Sequence, residues 1–193
     1  MGEDVWLVAG LGNPGAEYER TRHNVGFRVL DRLAAELGGV RFKRGKASAL
    51  VAETRDGAAR IVLSKPTTYM NLSGQAIGPL AAYYKVPAAR IVAVHDEIDL
   101  PFGELRIKIG GGSAGHNGIK SLTQSLGTPE YVRLRIGVGR PPGRKEAADH
   151  VLDTFTKAEE STVAVVVAEA ADAVLMIVRD GPERAQNTIN TPA

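Results

Sequence analysis

The 193-residue sequence contains no cysteine. This absence excludes a thiol nucleophile, a disulfide framework and a zinc site with thiolate ligands. A chain of this length buries enough apolar surface to fold as one domain without such cross-links. The lack of cysteine also fits a reducing compartment.

The sequence lacks the basic amino-terminal region that begins a secretion signal, because Glu3 and Asp4 occupy that position. Its apolar stretches are short or interrupted by charges, so we expect no segment able to span a bilayer. These observations predict a soluble, cytoplasmic protein that does not act at a membrane.

Several common catalytic motifs are also missing. No G-x-S-x-G element is present to supply a serine nucleophile, and the spacing of the histidines predicts no metal site. In the glycine run of residues 110–118, Ile119 stands where a P-loop has glycine directly before lysine, which argues against a nucleotide triphosphatase. The run is typical of a mobile loop beside a ligand, although a simple flexible connection fits nearly as well.

A glycine-rich turn, GLGNPG, follows the apolar run of residues 5–9. It fits the G-x-G-x-x-G fingerprint of dinucleotide-binding proteins, but the acidic residue needed about 20 positions later would fall inside a predicted helix. Asn13 and Pro14 are more typical of a rigid turn that presents an amide, and taken alone Asn13 fits a purely structural role. His23, ten positions after Asn13, supplies an imidazole suited to proton transfer at neutral pH.

Hydrophobic periodicity predicts strands that alternate with helices. The predicted strands cover residues 5–9, 47–54, 58–64, 91–95, 104–109 and 131–138. The predicted helices cover residues 20–37, 72–85, 118–126 and about 157–180. Asn71 or Ser73 is expected to cap the second helix, and Thr156 with Glu159 forms a capping box before the last. The alternation predicts a single domain over residues 1–193, a three-layer α/β/α fold with a twisted mixed central sheet.

Two of these strands end beside polar residues. Asn13 follows the first strand and Asp96 follows the strand of residues 91–95, and ligand groups collect outside the carboxyl ends of parallel strands. Because side chains alternate along a strand, we expect Asp96 to enter the site and His95 to be a core or partly exposed residue. A carboxylate that orients His23 and raises its basicity suits the activation of water.

The small net charge of +2 hides two segments of opposite sign. Residues 101–145 contain eight basic and two acidic side chains, whereas residues 146–183 contain nine acidic and two basic ones. A positive face of this kind attracts phosphates. A solvated surface whose charges pair with the acidic segment explains the charge pattern equally well.

Six motifs, in order and from about residue 5 to residue 155, resemble the bacterial type of peptidyl-tRNA hydrolase. They are GLGNPG, TRHNVGF, KPTTYMNLSG, HDEIDLPFG, IKIGGGSAGHNGIKS and RLRIGVGRPPG. The chain departs from the family pattern at Phe102, where a second proline is common, and this bears only on loop shape.

The resemblance implies cleavage of the ester that joins a peptide to the terminal ribose of tRNA, which recycles tRNA from peptidyl-tRNA released during translation. His23 would be the general base and Asp96 its partner. Asn13, counted with the catalytic residues, and Asn71 would hold the substrate's carbonyl and peptide backbone. Asn117 would position water or the peptide near the ester.

The remaining implied roles concern substrate binding. Tyr18 would line the site near the 3′ nucleotide, Met70 would border the peptide groove, and His116 would lie in the gating loop. Lys108 and Arg135 would grip tRNA phosphates. The resemblance implies no cofactor, no metal and no obligate protein partner, and it implies a monomer.

Two alternatives remain open on the residues alone. A non-catalytic RNA-binding module would explain the basic segment, and an NAD-binding oxidoreductase would explain GLGNPG. Neither explains why His23, Asn71, Asp96 and Asn117 occur together.

Overall fold

The computed structural model describes residues 3–192, so residues 1, 2 and 193 of the predicted domain lie outside the described residues. The strands are β1 (Val5–Gly10), β2 (Lys43–Arg44), β3 (Ala49–Asp56), β4 (Ala59–Pro66), β5 (Ile91–Glu97), β6 (Leu105–Ile109) and β7 (Val132–Gly137). The helices are α1 (Val25–Glu36), α2 (Ser73–Tyr84), α3 (Asn117–Leu126), α4 (Ala147–Val151), α5 (Glu160–Asp180) and α6 (Pro182–Asn190). Short 3-10 turns at Ala16–Tyr18, Arg22–Asn24 and Met70–Leu72 precede or connect these elements.

The strands form one mixed sheet with the order β2-β3-β4-β1-β5-β7-β6. The four central strands β4, β1, β5 and β7 are parallel, and the outer strands pair antiparallel. The predicted α/β fold with a mixed sheet is therefore confirmed. Since the carboxyl ends of parallel strands share one edge, the loops that follow β1, β4 and β5 meet there.

The sheet is covered on both faces, because its strands alternate between two apolar cores. Val92 and Val94 of β5 belong to the core that contains residues of α1 and α5. Ile91 and Ala93 belong to the opposite core, which contains residues of α2 and α3. By the same alternation, Asp96 lies on the face that α1 covers, next to the segment that carries His23.

Helix α5 corrects one expectation from the sequence. We expected no segment long and apolar enough to span a bilayer, but Glu160–Asp180 meets that description by length and composition. Half of its apolar window is buried inside the fold, where Ala170 and Val174 are fully buried against the sheet layer. The helix is apolar because it forms part of the core.

The ends of several elements differ from the predicted ones. β5 continues to Glu97, so Asp96 lies within the strand and not after it. Helix α2 begins without a side-chain cap, because the Ser73 hydroxyl donates instead to the Met70 carbonyl. The capping box before α5 is confirmed: the amide of Thr156 donates to Glu159 Oε1 at 2.8 Å, and the amide of Glu159 donates to Thr156 Oγ1 at 3.2 Å.

Helix α6 was not predicted, since Gly181 and Pro182 look like the end of the helical region. Pro182 instead starts a new helix, a position at which its missing amide is harmless. The last residue of α6, Asn190, pairs with the outer edge of β6. Its Oδ1 accepts from the Ile107 amide, and its Nδ2 donates to the Ile107 carbonyl, both at 2.8 Å.

Candidate active site

The turn after β1 is fixed by a buried asparagine from the next loop. Asn24 Oδ1 accepts from the Asn13 amide, and Asn24 Nδ2 donates to the Asn13 carbonyl, both at 2.9 Å. The Asn13 side chain is oriented in turn by the amide of Met70, which donates to Asn13 Oδ1 at 2.7 Å. Because the carboxamide oxygen is occupied, its Nδ2 group is left as a hydrogen-bond donor.

His23 lies in the 3-10 turn Arg22–Asn24, directly before α1. The neighbouring Arg22 is buried and anchors this turn to α4 and to the segment that follows it. Its guanidinium donates to the carbonyl of His150 at 3.3 Å and to Glu159 Oε1 at 3.1 Å, and its backbone amide donates to the carbonyl of Asp153. A buried cation with these partners restricts where the His23 ring can lie.

The imidazole of His23 pairs with the carboxylate of Asp96. Nδ1 of His23 lies 3.0 Å from Oδ1 and 2.9 Å from Oδ2 of Asp96, which is 1% exposed. With Asp96 ionised, Nδ1 carries the proton and donates to it. Nε2 of His23 is then the basic nitrogen.

A second imidazole binds the same carboxylate. Nδ1 of His116 accepts from the amides of Gly118 and Ile119 at 3.1 and 3.3 Å, so it caps the first turn of α3. The proton of the neutral ring is therefore on Nε2, which donates to Asp96 Oδ1 at 2.9 Å. The glycine loop, residues 110–118, thus contacts the carboxylate of Asp96 through His116.

These contacts shift the acidities of the paired groups. Burial alone would lower the pKa of His23, but the charge of Asp96 and the hydrogen bond to it outweigh this effect and raise the pKa above its ordinary value. Burial would raise the pKa of Asp96, yet the two imidazoles hold it well below the ordinary value. Asp96 is therefore an anion at neutral pH, and His23 is a stronger base than a free histidine.

The atoms of His23, Asp96 and His116 lie close enough together to suggest a metal site, since all are within 4.8 Å of one another. The hydrogen bonds argue for a different reading. His116 presents a protonated nitrogen to Asp96, and a metal ligand must offer a lone pair. The cluster fits two N–H donors that converge on one carboxylate.

His95 lies behind this cluster. Its side chain is buried, its Nδ1 donates to the carbonyl of Asp96 at 2.8 Å, and its ring packs edge-on against that of His116 at 4.7 Å between centroids. Burial and the neighbouring His116 hold the pKa of His95 well below its usual value. The ring is a neutral support for His116 and does not line the cavity.

A cavity of about 620 Å³ opens above the paired groups. Asn13, His23 and Asp96 form its floor, and the exposed residues Asn71 and Asn117 line its walls. An apolar part of the lining is formed by Ile98 and by Ala147, Ala148, Val151 and Leu152 of the α4 region. Its size fits a small-molecule or peptide ligand.

Two predicted substrate-binding residues have mainly supporting positions. Tyr18 lies edge-on to Tyr69, with 6.5 Å between ring centroids, and Tyr69 is the one that lines the cavity and is 56% exposed. Met70 is buried at the cavity border, where its Sδ would lie 2.6 Å from a Cβ at Gly118. Gly118 therefore lets α3 approach the Asn13 turn closely.

The two predicted tRNA-binding residues lie on neighbouring strands at the β6 side of the site. Lys108 packs against the glycine loop, with its Nζ 2.8 Å from the position of a Cβ at Gly111. Arg135 is 21% exposed and binds the buried carboxylate of Glu97, with its Nε and Nη2 at 3.2 and 3.1 Å from Oε1. Arg135 therefore has a structural partner in addition to any ligand.

The reasoning from sequence missed several residues of the site. Tyr69 lies within the KPTTYMNLSG motif and could have been identified from the sequence. Val151 and Leu152 of the apolar lining lie in a segment without a distinctive motif. The sequence indicated the amide of Asn24 at this turn, but it did not indicate Arg22, whose partners are far away along the chain.

The sequence profile described as peptidyl-tRNA hydrolase matches residues 7–193. The chain belongs to the peptidyl-tRNA hydrolase family. The family resemblance stated from the six motifs is thereby confirmed, and the matched range runs from within β1 through α6.

Individual members of the family are similar to this chain along nearly their full length. The peptidyl-tRNA hydrolase of Streptomyces avermitilis is 54% identical over 192 residues, covering 96% of this chain and 94% of that protein. The one from Mycobacterium tuberculosis is 53% identical over 185 residues, covering 95% and 96%. A crystal structure of the Acinetobacter baumannii peptidyl-tRNA hydrolase superposes with a TM-score of 0.90 at 34% identity, covering 99% of this chain and 97% of that one.

Proposed function

We propose that this protein hydrolyses the ester bond between a peptide and the 3′ ribose of tRNA. The observation that carries the proposal is the His23–Asp96 pair at the floor of a cavity that three asparagines line. The family membership supports the same reaction.

The first step is the activation of water. Nε2 of His23 accepts a proton from a water molecule while Nδ1 donates to Asp96, and the water oxygen forms a bond to the ester carbonyl carbon. Asp96 stabilises the imidazolium that results. A positioned base of this kind contributes about 10²–10⁴-fold to the rate.

The negative charge then moves to the former carbonyl oxygen. The Nδ2 group of Asn13 is fixed by the hydrogen bond between Asn13 Oδ1 and Met70, so it is a preorganised donor for this oxyanion. One such donor contributes about 10²–10³-fold. The tetrahedral intermediate collapses when its bond to the ribose oxygen breaks, and that oxygen takes the proton from Nε2 of His23. The products are a free peptide acid and the ribose hydroxyl of tRNA.

Asn71 and Asn117 are assigned to the peptide. Both present neutral carboxamides to the cavity. Such groups hydrogen-bond a peptide unit, whereas they offer no anion to attract the free α-ammonium of an aminoacyl-tRNA. We infer that they contribute to a preference for esters with a blocked amino group.

The nucleic acid is assigned to the side of the site that carries Lys108 and Arg135. Contacts with phosphates supply affinity that does not depend on sequence, which suits an enzyme that recycles many tRNAs. Met70 is assigned to the border of the peptide groove, Tyr18 to the support of Tyr69, and His116 to the closure of the glycine loop on Asp96.

Dinucleotide binding at GLGNPG is less well supported. The amide of Asn13, which a pyrophosphate would need, is already bound to Asn24 Oδ1. The loop is followed by a 3-10 turn at Ala16–Tyr18 before α1 begins at Val25. An RNA-binding module without catalysis leaves the paired imidazole and carboxylate unexplained.

The deciding experiment is to incubate the protein with N-acetyl-aminoacyl-tRNA and to measure the release of free tRNA. We expect turnover by the parent protein and a loss of at least 10²-fold for His23→Ala. His150→Gln is the matched control, because that histidine lies outside the cavity. Equal rates for the parent and His23→Ala would remove His23 from the mechanism, and no turnover by the parent would reject the proposed reaction.

We further propose that the protein works as a cytoplasmic monomer formed by one domain over residues 1–193, without an obligate protein partner. The continuous sheet and the two cores that share it support a single domain. Sedimentation of the purified protein tests the monomer.

A further inference from the structure

Arg133 of β7 is a buried cation that the proposed chemistry does not use. The residue is 2% exposed, and its partners within residues 3–192 are carbonyl groups and an aromatic ring, with no carboxylate within ion-pair distance. Burial lowers the pKa of this guanidinium from its ordinary value. A buried charge is costly unless hydrogen bonds compensate for its lost hydration, so the partners of this guanidinium indicate what it holds in place.

The guanidinium binds the glycine loop directly. Its Nη2 donates to the carbonyl of Gly111 at 2.8 Å and to the carbonyl of Pro129 at 3.3 Å, and its Nη1 donates to the carbonyl of Gly112. The planar group lies 4.7 Å from the centre of the Tyr131 ring. Both backbone carbonyls at the start of the loop are thus held by one side chain of the sheet.

Tyr131, two residues earlier in the chain, holds the two ends of the same loop. Its carbonyl accepts from the Gly110 amide at 3.2 Å. Its hydroxyl donates to the carbonyl of Ile119 at 3.1 Å, within the first turns of α3. The segment between these points contains His116 and Asn117, and glycines allow it many conformations unless it is held.

We propose that Arg133 is a positioning residue that holds the glycine loop closed, so that His116 reaches Asp96 and Asn117 faces the cavity. This inference rests on the proposed function for its catalytic consequence. Arg133 fixes the position of the start of the loop through the carbonyls of Gly111 and Gly112. His116 Nδ1 fixes the position of its end by accepting from the amides of Gly118 and Ile119. Arg133 acts on the reaction only through this loop.

The burial of Arg133 distinguishes its positioning role from the binding of tRNA phosphates. Lys108 lies on the paired position of β6 and Arg135 lies two residues along β7, and both are more accessible than Arg133. Loss of a phosphate contact lowers the salt dependence of KM, whereas loss of the loop anchor leaves it unchanged.

The first measurement is amide hydrogen exchange in Arg133→Met and Arg133→Lys. In Arg133→Met we expect the amides of Gly118 and Ile119 to exchange at least tenfold faster, while amides of β5 keep their protection. Arg133→Lys retains a donor for one carbonyl and is expected to give a smaller change. Ile107→Val, a buried change on the neighbouring strand, is the control for general destabilisation.

The second measurement is hydrolysis of N-acetyl-aminoacyl-tRNA. We expect kcat to fall at least tenfold in Arg133→Met, partly recover in Arg133→Lys, and remain near the parent value in Ile107→Val. In a His116→Ala background the loss caused by Arg133→Met should be clearly smaller, because the two residues act through one loop.

Unchanged exchange at Gly118 and Ile119 in Arg133→Met would overturn the proposal, as would full additivity with His116→Ala. If Ile107→Val lost activity in proportion to the fall in its melting temperature, the proposal would also be overturned. Loss of stability alone would then explain the lower kcat of Arg133→Met. If the parent protein hydrolyses no ester, the proposed function fails, and the exchange measurement still decides whether Arg133 holds the loop.

Discussion

Oδ1 of Asp96 lies 2.9 Å from Nε2 of His116, on a ring whose tautomer is set by two backbone amides. Asp96 therefore meets N–H groups on two sides, from His116 and from His23. A carboxylate accepts from both, whereas an asparagine at this position has one acceptor oxygen and one donor group. Because His116 cannot change tautomer without losing its contacts with the α3 amides, an asparagine would turn its oxygen to His116 and its NH₂ to His23.

Asp96→Asn is therefore expected to place the proton of His23 on Nε2, where it blocks the acceptance of a proton from water. We expect kcat to fall by about 10²–10⁴-fold with a folded protein. The nitrogen chemical shifts of His23 in labelled protein report the tautomer. A ring that stays protonated on Nδ1 in Asp96→Asn would contradict this explanation even if activity were lost.

The pH dependence follows from the raised pKa of His23. The neutral ring is the active base, so activity is lost as pH falls through the raised pKa and is fully present above it. We expect the acidic limb of kcat/KM to lie at higher pH than for an ordinary histidine. In Asp96→Asn the charge is gone and burial remains, so the titration of His23, measured by NMR, should move to lower pH. A shift to higher pH would show that Asp96 does not control this imidazole.

Asn13 is expected mainly to stabilise the transition state, with a smaller effect on substrate binding. Asn13→Asp keeps an oxygen for the Met70 amide, but it removes the NH₂ donor and adds a negative charge beside the developing oxyanion. We expect kcat to fall by about 10²–10³-fold with a smaller change in KM. Asn187→Asp on the exposed face of α6 is the control for added charge. A purely KM effect would assign Asn13 to substrate binding alone.

The phosphate contacts predict a different pattern. Lys108→Ala should raise KM for peptidyl-tRNA with kcat nearly unchanged. The slope of log KM against log salt concentration should fall by about 1, which corresponds to the loss of one phosphate contact. Arg179→Gln, which loses an exposed ion pair with Asp56 at the far edge of the sheet, should leave the slope unchanged. Arg135→Ala should also lower the melting temperature, because it leaves the buried Glu97 carboxylate without its cation. An unchanged slope in Lys108→Ala would remove that residue from the tRNA surface.

A stability prediction concerns the end of α6. Asn190→Ala leaves the amide of Ile107 without its side-chain acceptor, and the Ile107 carbonyl keeps only the donor Gln186 Nε2 at 3.2 Å. We expect a loss of about 1–3 kcal/mol in the free energy of unfolding. Denaturant titration measures this loss. Thr191→Ala is the neighbouring control, and an equal effect of both changes would show that the amide contacts are not the cause.

The sequence allowed the alternation of strands and helices to be predicted, because apolar periodicity is a local property. The motifs also allowed His23, Asp96 and Asn13 to be grouped before their positions were known. The second imidazole on Asp96 was not predicted, because the direction of the His116 ring depends on the first turn of α3. The anchors Arg22 and Arg133 were missed for a related reason, since each binds carbonyls whose positions only the folded chain defines.

The contact between Asn190 and Ile107 has a consequence for how molecules meet one another. An outer strand with free backbone groups is a template on which a second chain can add, and repeated addition leads to aggregates. Here the carboxamide imitates the next strand and ends the growth of the sheet at β6. The opposite margin is the two-residue strand β2, whose Lys43 and Arg44 repel a like-charged copy.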